Sequence, residues 1–186
     1  MRSPHDMLVL TGDDVARLLP MHDCIELMAA TFLALARGES VLPLRTVIAL
    51  PDGRGSLYTM PAFAAAAGAL AVKLVTIFPG NHGGALPSHQ GVVLLFDGTD
   101  GRPVALIDAT EITALRTAAV SAVATRALAR ADAGDLALLG SGVQARAHLE
   151  AMRAVRPVGN VMIVSRSPER ADALADEAIA AGLAGG

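Results

Sequence analysis

The segment that decides the fold is Leu136-Ala-Leu-Leu-Gly-Ser-Gly-Val-Gln-Ala-Arg-Ala-His-Leu149. Its first four residues form an apolar run typical of a buried β-strand, and the glycines lead directly into a helix-forming stretch. Gly140 permits a tight turn, Gly142 lets the backbone approach a pyrophosphate, and Ala145 allows close packing of helix on strand. The pattern predicts the start of a dinucleotide-binding domain, although glycine-rich turns of this kind also occur without a ligand.

A second strand and helix follow at the spacing expected of a βαβ unit. Residues 161–164 are apolar, and Ser167 with the proline after it opens another helix, which Ser167 is expected to cap. In dinucleotide-binding folds, an acidic residue at the end of the second strand binds the ribose 2′-hydroxyl and selects NAD. This chain instead has Ser165, Arg166 and Ser167, which offer hydrogen-bond donors and a positive charge to a 2′-phosphate. We therefore predict NADP as the cofactor, with NAD possible.

Composition and charge exclude several classes of function. The net charge of −3 and the absence of a basic stripe in the sequence argue against nucleic acid as a partner. Apolar stretches are interrupted by charges, Gly or Pro before they reach membrane-spanning length, so no membrane segment is expected. Cys24 is the single cysteine, which fits a reducing, cytoplasmic compartment. The five histidines have no metal-ligand spacing, so we predict no metal.

Lys73 is the only lysine in a chain whose other fourteen basic side chains are arginines. It lies inside an apolar run, residues 68–78, where a charge is costly unless it is paired or functional. Lysine differs from arginine as a compact point charge. The position favours a functional role, against the alternative of an edge-strand lysine that extends its charge to solvent.

The rest of the chain predicts a mixed α+β part before the glycine turn. A capping box begins at Thr11, and helices are expected up to Pro20, over 22–37 and over 110–130. Strands are expected over 45–50, 56–61, 69–78, 92–96 and 104–107, the last two as a hairpin. Residues 79–91 are expected to be a long polar loop that lines a site, or else a mobile surface excursion.

Arg116 stands among small residues in the predicted helix over 110–130. Arg126 and Arg130 near the helix end are explained by the helix dipole, but Arg116 is not. It is therefore either a functional cation or a charge on the solvated face of the helix.

Five segments together resemble the ornithine cyclodeaminase and mu-crystallin family. They are Pro43-Leu-Arg45-Thr, Leu74-Val-Thr-Ile-Phe-Pro-Gly-Asn81, Leu86-Pro-Ser-His-Gln-Gly91, Thr113-Ala-Leu-Arg-Thr-Ala-Ala119 and Leu138-Leu-Gly-Ser-Gly-Val-Gln-Ala145. They follow the family's order and cover nearly the whole chain. The glycine turn alone would not distinguish this family from other dinucleotide binders, but the helix segment before it does.

The resemblance implies an α/β protein of two parts: a mixed α+β substrate and dimerisation domain over residues 1–130, then a Rossmann NAD(P)-binding domain over 131–186. It implies that Arg45, Lys73 and Arg116 surround a substrate α-carboxylate, with Lys73 also catalytic. The implied cofactor contacts are a small hydroxyl residue, the glycine turn and its first helical residues, namely Ser88, Gly140, Gly142, Val143 and Gln144.

The resemblance also implies a homodimeric NAD(P)-dependent enzyme that acts on an α-amino or cyclic α-imino acid. The reductases of ketimines and pyrroline-2-carboxylate, the alanine dehydrogenases and the cyclodeaminases are the types it leaves open. A non-catalytic NADP-dependent binder of small molecules, of mu-crystallin type, is the alternative, and an inactive fragment is another.

Two departures from the family pattern affect these expectations. The region around Tyr58 and Met60 lacks the acidic residue of ornithine-type members, which favours a reductase of small imino or amino acids. The sequence also ends where a third parallel strand is expected, before the family's catalytic aspartate. We therefore expect a truncated Rossmann domain that retains the carboxylate site, binds cofactor weakly and has little activity.

Overall fold

A computed structural model describes residues 7–180 and 182 of the chain. By its internal contacts the chain divides into two units. The first unit consists of Met1–Leu18 and Ala30–Thr113, and the second of Leu19–Ala29 and Ala114–Gly186. The sequence thus reaches the second unit in two separate passages, and each unit is described by itself.

The first unit contains a seven-stranded mixed sheet. Its strands are β1 (Leu8–Leu10), β2 (Ser40–Val41), β3 (Thr46–Ala49), β4 (Ser56–Ala64), β5 (Ala69–Ile77), β6 (His89–Asp97) and β7 (Pro103–Asp108). The order across the sheet is β1-β7-β6-β5-β4-β2, and β3 also pairs with β4. All pairs are antiparallel except β1 with β7, which is parallel. This confirms a mixed sheet in the part of the chain before the glycine turn.

The central strands are longer than the sequence predicts. β4 continues past the expected end at Pro61 to Ala64, and β6 begins at His89 rather than at Val92. The prediction that residues 79–91 form one loop is therefore wrong for the last three of them. The reason is that β5 extends to Ile77, so its free backbone groups pair with His89, Gln90 and Gly91 whatever their side chains.

Side-chain caps mark the start of two helices. The helices in the first half of the chain are α1 (Gly12–Leu18) and α2 (Met21–Ala36). Ahead of α1, the Asp14 amide donates to Thr11 Oγ1 at 3.3 Å and the Thr11 amide to Asp14 Oδ2 at 3.1 Å, which confirms the predicted capping box. For α3 (Ala109–Leu128), Asp108 Oδ1 accepts from the Thr110 and Glu111 amides, both at 2.9 Å.

The second unit contains the predicted strand–helix–strand–helix order. Its elements are β8 (Asp135–Leu139), α4 (Val143–Val155), β9 (Asn160–Val164) and α5 (Pro168–Ala180). β8 and β9 pair in parallel with Leu138 opposite Ile163. A core of Leu138, Leu149, Leu174 and Ala178 joins strands to helices, and Ala145 packs against it as its small size predicts. This confirms a Rossmann-like unit.

Polar side chains of the second unit contact the carboxyl-terminal part of α3. The helix ends at Leu128 rather than Arg130, and the Arg156 guanidinium donates to the carbonyls of Ala129, at 2.8 Å, and of Arg130. Arg126 forms an ion pair with Glu26. The Arg156 bonds satisfy carbonyls at the helix end that would otherwise lack partners.

Cys24 is a packing residue. Its side chain is 2% exposed, and burial raises the pKa of its thiol. A buried thiol of this kind is unreactive.

Within residues 7–180, no single helix is long and apolar enough to span a membrane. Only α1 and α2 taken together, as a bent pair, reach that length and apolarity.

Candidate functional site

The glycine turn has the geometry that a phosphate-binding turn requires. Gly140 adopts φ +120°, in the region that favours glycine, and its amide donates to the Val164 carbonyl at 2.7 Å. Gly142 precedes α4 with φ −92°, a conformation open to any residue, and a Cβ built there meets no heavy atom within 4 Å. No neighbouring protein atom requires glycine at Gly142, so the space beside it is available to a ligand.

The first turn of α4 presents backbone amides to this space. The Ala145 and Arg146 amides are bonded to the Gly142 carbonyl, at 3.0 and 3.2 Å. The preceding amides, from Gly142 to Gln144, stand at the start of the helix, where backbone donors point outward along the helix axis. Three amides and the positive end of the helix dipole fit a pyrophosphate. Val143 and Gln144 are exposed, as such a role needs.

Hydroxyl groups link the carboxyl ends of β8 and β9. Ser141, which is 7% exposed, lies with its Oγ 2.8 Å from Ser165 Oγ. Ser165 Oγ also accepts from the Ser167 amide at 3.3 Å. Ser167 caps α5 as predicted, because its Oγ accepts from the Arg170 amide at 3.4 Å. Two of the three predicted 2′-phosphate ligands are thus already engaged by neighbouring groups.

Arg166 and Glu169 are the charged groups beside these serines. Arg166 is exposed and makes no hydrogen bond or ion pair with the described residues, so its guanidinium can turn to a ligand. Glu169 was missed by sequence reasoning, since it stands in the helix and not at the strand end. Ser167 Oγ donates to its Oε2 at 2.8 Å, and this bond is the main reason that the pKa of Glu169 lies below its usual range.

Arg45 and Lys73 lie on the same face of the sheet in the first unit. Opposite residues of an antiparallel pair share a face, and Lys73 is opposite Met60 on β4, two residues from Tyr58. The Arg45 guanidinium carbon lies 5.6 Å from the centroid of the Tyr58 ring, a cation–π contact. The structure therefore brings these two predicted carboxylate ligands to one surface, around Tyr58.

The residues directly opposite Lys73 in the sheet are apolar. Its directly opposite neighbours are Met60 on β4 and Val93 on β6, and Lys73 is half-buried. Gly91 stands opposite Val75, where a Cβ would lie 2.3 Å from the Leu74 carbonyl oxygen. No side chain fits at Gly91, so β6 leaves this part of the sheet uncovered.

Ser88 stands at the end of a loop tied by its own side chains. Its Oγ lies 3.1 Å from His89 Nδ1. Asn81 and Gln90 both donate from their side-chain amides to the Pro87 carbonyl, at 3.2 Å. These bonds support a defined loop conformation rather than a mobile excursion.

A pocket of about 540 Å³ opens on the other face of the same sheet. Its lining includes Leu57, Leu74, Thr76 and Asp108, which alternate with the residues of the Lys73 face. None of the predicted site residues lines it. It is therefore separate from the predicted carboxylate site.

Arg116 belongs to the second unit, in α3, whereas Arg45 and Lys73 belong to the first. It is exposed, which fits both a carboxylate ligand and the solvated-face alternative. As for metals, no three His, Cys, Asp or Glu side chains among residues 7–180 and 182 come together in a way that could hold an ion.

Comparisons with known proteins agree on one family and one fold. The model of the ornithine cyclodeaminase/mu-crystallin family matches residues 5–184. The chain is 42% identical over 151 residues to ketimine reductase mu-crystallin of Rattus norvegicus, which covers 81% of this chain and 48% of that protein.

Two solved structures are also similar. Thermococcus litoralis Δ1-pyrroline-2-carboxylate reductase in complex with NADH and L-proline has a TM-score of 0.90 and 38% identity, over 96% of this chain and 56% of that one. An archaeal alanine dehydrogenase dimer with bound NAD has a TM-score of 0.91 and 29% identity, over 97% and 55%. The chain spans about half the length of these relatives.

Proposed function

This chain belongs to the ornithine cyclodeaminase/mu-crystallin family, and from that membership we propose that it carries the substrate site and glycine turn of an NAD(P)-dependent enzyme acting on an α-amino or cyclic α-imino acid. The observation that carries the proposal is the pair of cations, Arg45 and Lys73, on one face of the sheet, with Tyr58 and Met60 beside them. A small anion with an apolar body is the ligand that such a surface suits.

The two cations offer complementary contacts to a carboxylate. The Arg45 guanidinium can donate two parallel hydrogen bonds, and its contact with the Tyr58 ring restrains its plane. Lys73 contributes a point charge from a half-buried strand position, where electrostatic attraction is less weakened by water. We include Arg116 as a third ligand on the strength of the family resemblance.

The neighbour of Lys73 bears on the kind of substrate. Met60, directly opposite Lys73, presents a thioether where an acidic side chain would be needed to bind a second, charged amine. The methylenes of a cyclic imino acid fit such a neighbour better than the ammonium of ornithine does. We therefore favour reduction of a cyclic imino acid, the reaction class of the ketimine and pyrroline-2-carboxylate reductases among the relatives.

The chain's own residues have defined tasks in that reaction. A bound nicotinamide dinucleotide supplies the hydride. The amides of Gly142, Val143 and Gln144 hold its pyrophosphate, and Lys73 with Arg45 holds the substrate carboxylate. Lys73 would count as catalytic in this proposal because its ammonium, paired with the carboxylate beside the α-carbon, would lower the repulsion between that negative charge and the arriving hydride. The imine nitrogen carries a proton before the transfer, so that addition of the hydride gives the neutral amine.

We propose NADP as the preferred cofactor, with Arg166 as the 2′-phosphate ligand. The exposed, unengaged guanidinium of Arg166 supports this. The Ser165 and Ser167 hydroxyls would have to exchange present partners to take part. NAD stays an option, since the two solved relatives are named with NADH and NAD.

Three further points belong to the same proposal. Residues 1–130 would serve substrate binding and dimerisation, and residues 131–186 nucleotide binding. The protein would act as a homodimer in the cytoplasm, as the dimer of the alanine dehydrogenase relative suggests for the assembly.

The test is to remove the lysine charge and measure binding of L-proline as a probe of the carboxylate site. Lys73→Met should raise the dissociation constant about 10- to 100-fold, the range for losing a hydrogen bond to a charged group. Arg45→Met should act in the same direction. Arg54→Met is the matched control, because Arg54 lies in an exposed turn beside Asp52. Unchanged proline binding by folded Lys73→Met would refute the site. Dinucleotide and proline binding without turnover of an imino acid would favour the non-catalytic alternative.

A further inference from the structure

A chain of hydrogen bonds crosses from α3 to the first turn of α4. His148 Nε2 lies 3.0 Å from Ser121 Oγ, and His148 Nδ1 lies 2.7 Å from the Gln144 carbonyl oxygen. Both side chains are half-buried in the second unit. The imidazole of His148 thereby links α3 to Gln144, a residue in the first turn of α4.

We propose that His148 is a positioning residue for the dinucleotide, holding the first turn of α4 in place through the Gln144 carbonyl. The inference rests on the proposed function, because it concerns the same phosphate site. His148 touches no phosphate in this scheme. It acts on Gln144, and so on the amides of Gly142, Val143 and Gln144.

The directions of the hydrogen bonds follow from the groups themselves. A carbonyl only accepts, so His148 Nδ1 carries a proton and donates to Gln144. In the neutral imidazole Nε2 is then an acceptor, and Ser121 Oγ donates to it. The Thr117 carbonyl, 3.3 Å from Ser121 Oγ, offers the hydroxyl an alternative acceptor on its own helix.

Ser121 is the fixed end of this series of hydrogen bonds. Its neighbours on α3, Ala118 and Ala122, are both 0% exposed, so the segment that carries Ser121 is fixed by packing. At the other end, backbone bonds hold the Gly142 carbonyl, but side-chain packing adds little, since a Cβ at Gly142 would meet no heavy atom within 4 Å and Val143 is 62% exposed. A bond from a buried helix to an exposed turn restricts the turn, not the helix.

A fixed first turn of α4 matters for ligand binding, because hydrogen bonds from amides to a phosphate weaken steeply when they are misaligned. Three amides that must meet one pyrophosphate bind best when they are already aligned, since otherwise binding must order them. The imidazole restricts the position of the Gln144 carbonyl, and the Gln144 amide belongs to the same residue and moves with it. Loss of the anchor should therefore weaken dinucleotide binding in a chain that remains folded.

The experiment compares Ser121→Ala, His148→Asn and the double variant with the unchanged 186-residue chain. His148→Asn keeps an amide near the Nδ1 position but cannot reach Ser121. Glu150→Ala, an exposed position of the same helix, is the matched control. NADP dissociation constants are measured well below each variant's unfolding midpoint, and the amide NMR shifts of Gly142, Val143 and Gln144 are recorded without ligand.

We expect each single variant to raise the dissociation constant about 3- to 10-fold, the range for one hydrogen bond. The double variant should go no further, because both changes break one bond. The three amide resonances should move in the ligand-free variants and not in Glu150→Ala. Unchanged affinity in the folded variants, or fully multiplicative effects in the double variant, would overturn the positioning role. Failure of the unchanged chain to bind either dinucleotide would instead overturn the proposed function, and the positioning role with it.

Discussion

Replacement of Gly142 by alanine tests the glycine turn directly, because folding and ligand binding place different requirements on this residue. Its φ of −92° is open to alanine, and a built Cβ meets no heavy atom within 4 Å. Folding therefore has no steric need for glycine here. If a pyrophosphate occupies the open space, the added methyl must collide with the ligand instead.

The size of each effect can be estimated. For folding, the lower entropy of the unfolded alanine variant and the weaker capping by alanine nearly cancel, so stability should change by less than about 1 kcal/mol. For binding, a methyl group forced into an occupied contact costs about 1–3 kcal/mol, or about 5- to 150-fold in the dissociation constant. Gly140→Ala provides the contrast. At φ +120° an alanine is strained by about 1–3 kcal/mol, which should appear as lost stability.

Two assays on the same samples distinguish these outcomes. Urea unfolding gives the stability of each variant, and titration with NADP gives the dissociation constant. Gly142→Ala should be as stable as the unchanged chain and bind poorly, while Gly140→Ala should be clearly less stable. A Gly142→Ala variant that folds and binds NADP with unchanged affinity would show that the pyrophosphate does not approach this turn.

Three other substitutions have definite expected results. Gly91→Ala places a Cβ 2.3 Å from the Leu74 carbonyl oxygen, so urea unfolding should show a loss of about 3 kcal/mol or more; normal stability would contradict the reported strand contact. The Arg146 guanidinium, hydrogen-bonded to Glu177, holds the pKa of that carboxyl below its usual 4.5. The pair therefore stabilises the fold above that value and ceases to do so as the pH falls through the lowered pKa, so the stability gap between the unchanged chain and Arg146→Met should close in acid. Arg166→Ala should weaken binding of NADP about 10-fold or more while NAD binding stays the same, and equal effects on both would remove Arg166 from the 2′-phosphate site.

Local chemistry made much of the fold predictable. The glycine turn, the capping box at Thr11 and the Ser167 cap are each decided within a few residues, and the structure shows all three. The hairpin ahead of α3 is local as well. Its turn is closed by Asp97, whose side chain accepts from the Thr99 amide at 2.8 Å.

Contacts between distant residues were not predictable in the same way. β1 has three residues, too few to show an alternating pattern, and it is a strand only because its backbone pairs with β7. The polar first residues of β6 are likewise in a strand because their backbone pairs with a neighbouring strand, β5. Arg156 binds the end of α3 across 26 and 27 residues, and no local signal marks it as a cap.

The same division between local features and contacts of distant residues applies to the candidate site. The identities of Arg45 and Lys73 could be read from the sequence, but their common sheet face required the register of β3, β4 and β5. The Ser141–Ser165 bond and the Ser121–His148 bond span 24 and 27 residues, so neither has a local signature. Sequence reasoning thus identified the proposed ligand-binding groups more readily than the contacts between distant residues around them.

The end of β9 offers a physical basis for choosing between the two cofactors. Ser141 and Ser165 bind each other, so that part of the surface is already defined. The two charged groups beside these serines act in opposite directions. Exposed Arg166 attracts a 2′-phosphate. Glu169, ionised and held by Ser167, repels a 2′-phosphate and can accept a hydrogen bond from a ribose hydroxyl. The preference for NADP therefore depends on the Arg166 guanidinium outweighing the Glu169 carboxylate at the ligand. Because Ser167 fixes the carboxylate while the guanidinium is unrestrained, the cation can approach a phosphate more closely than the anion can, and on this ground we propose NADP.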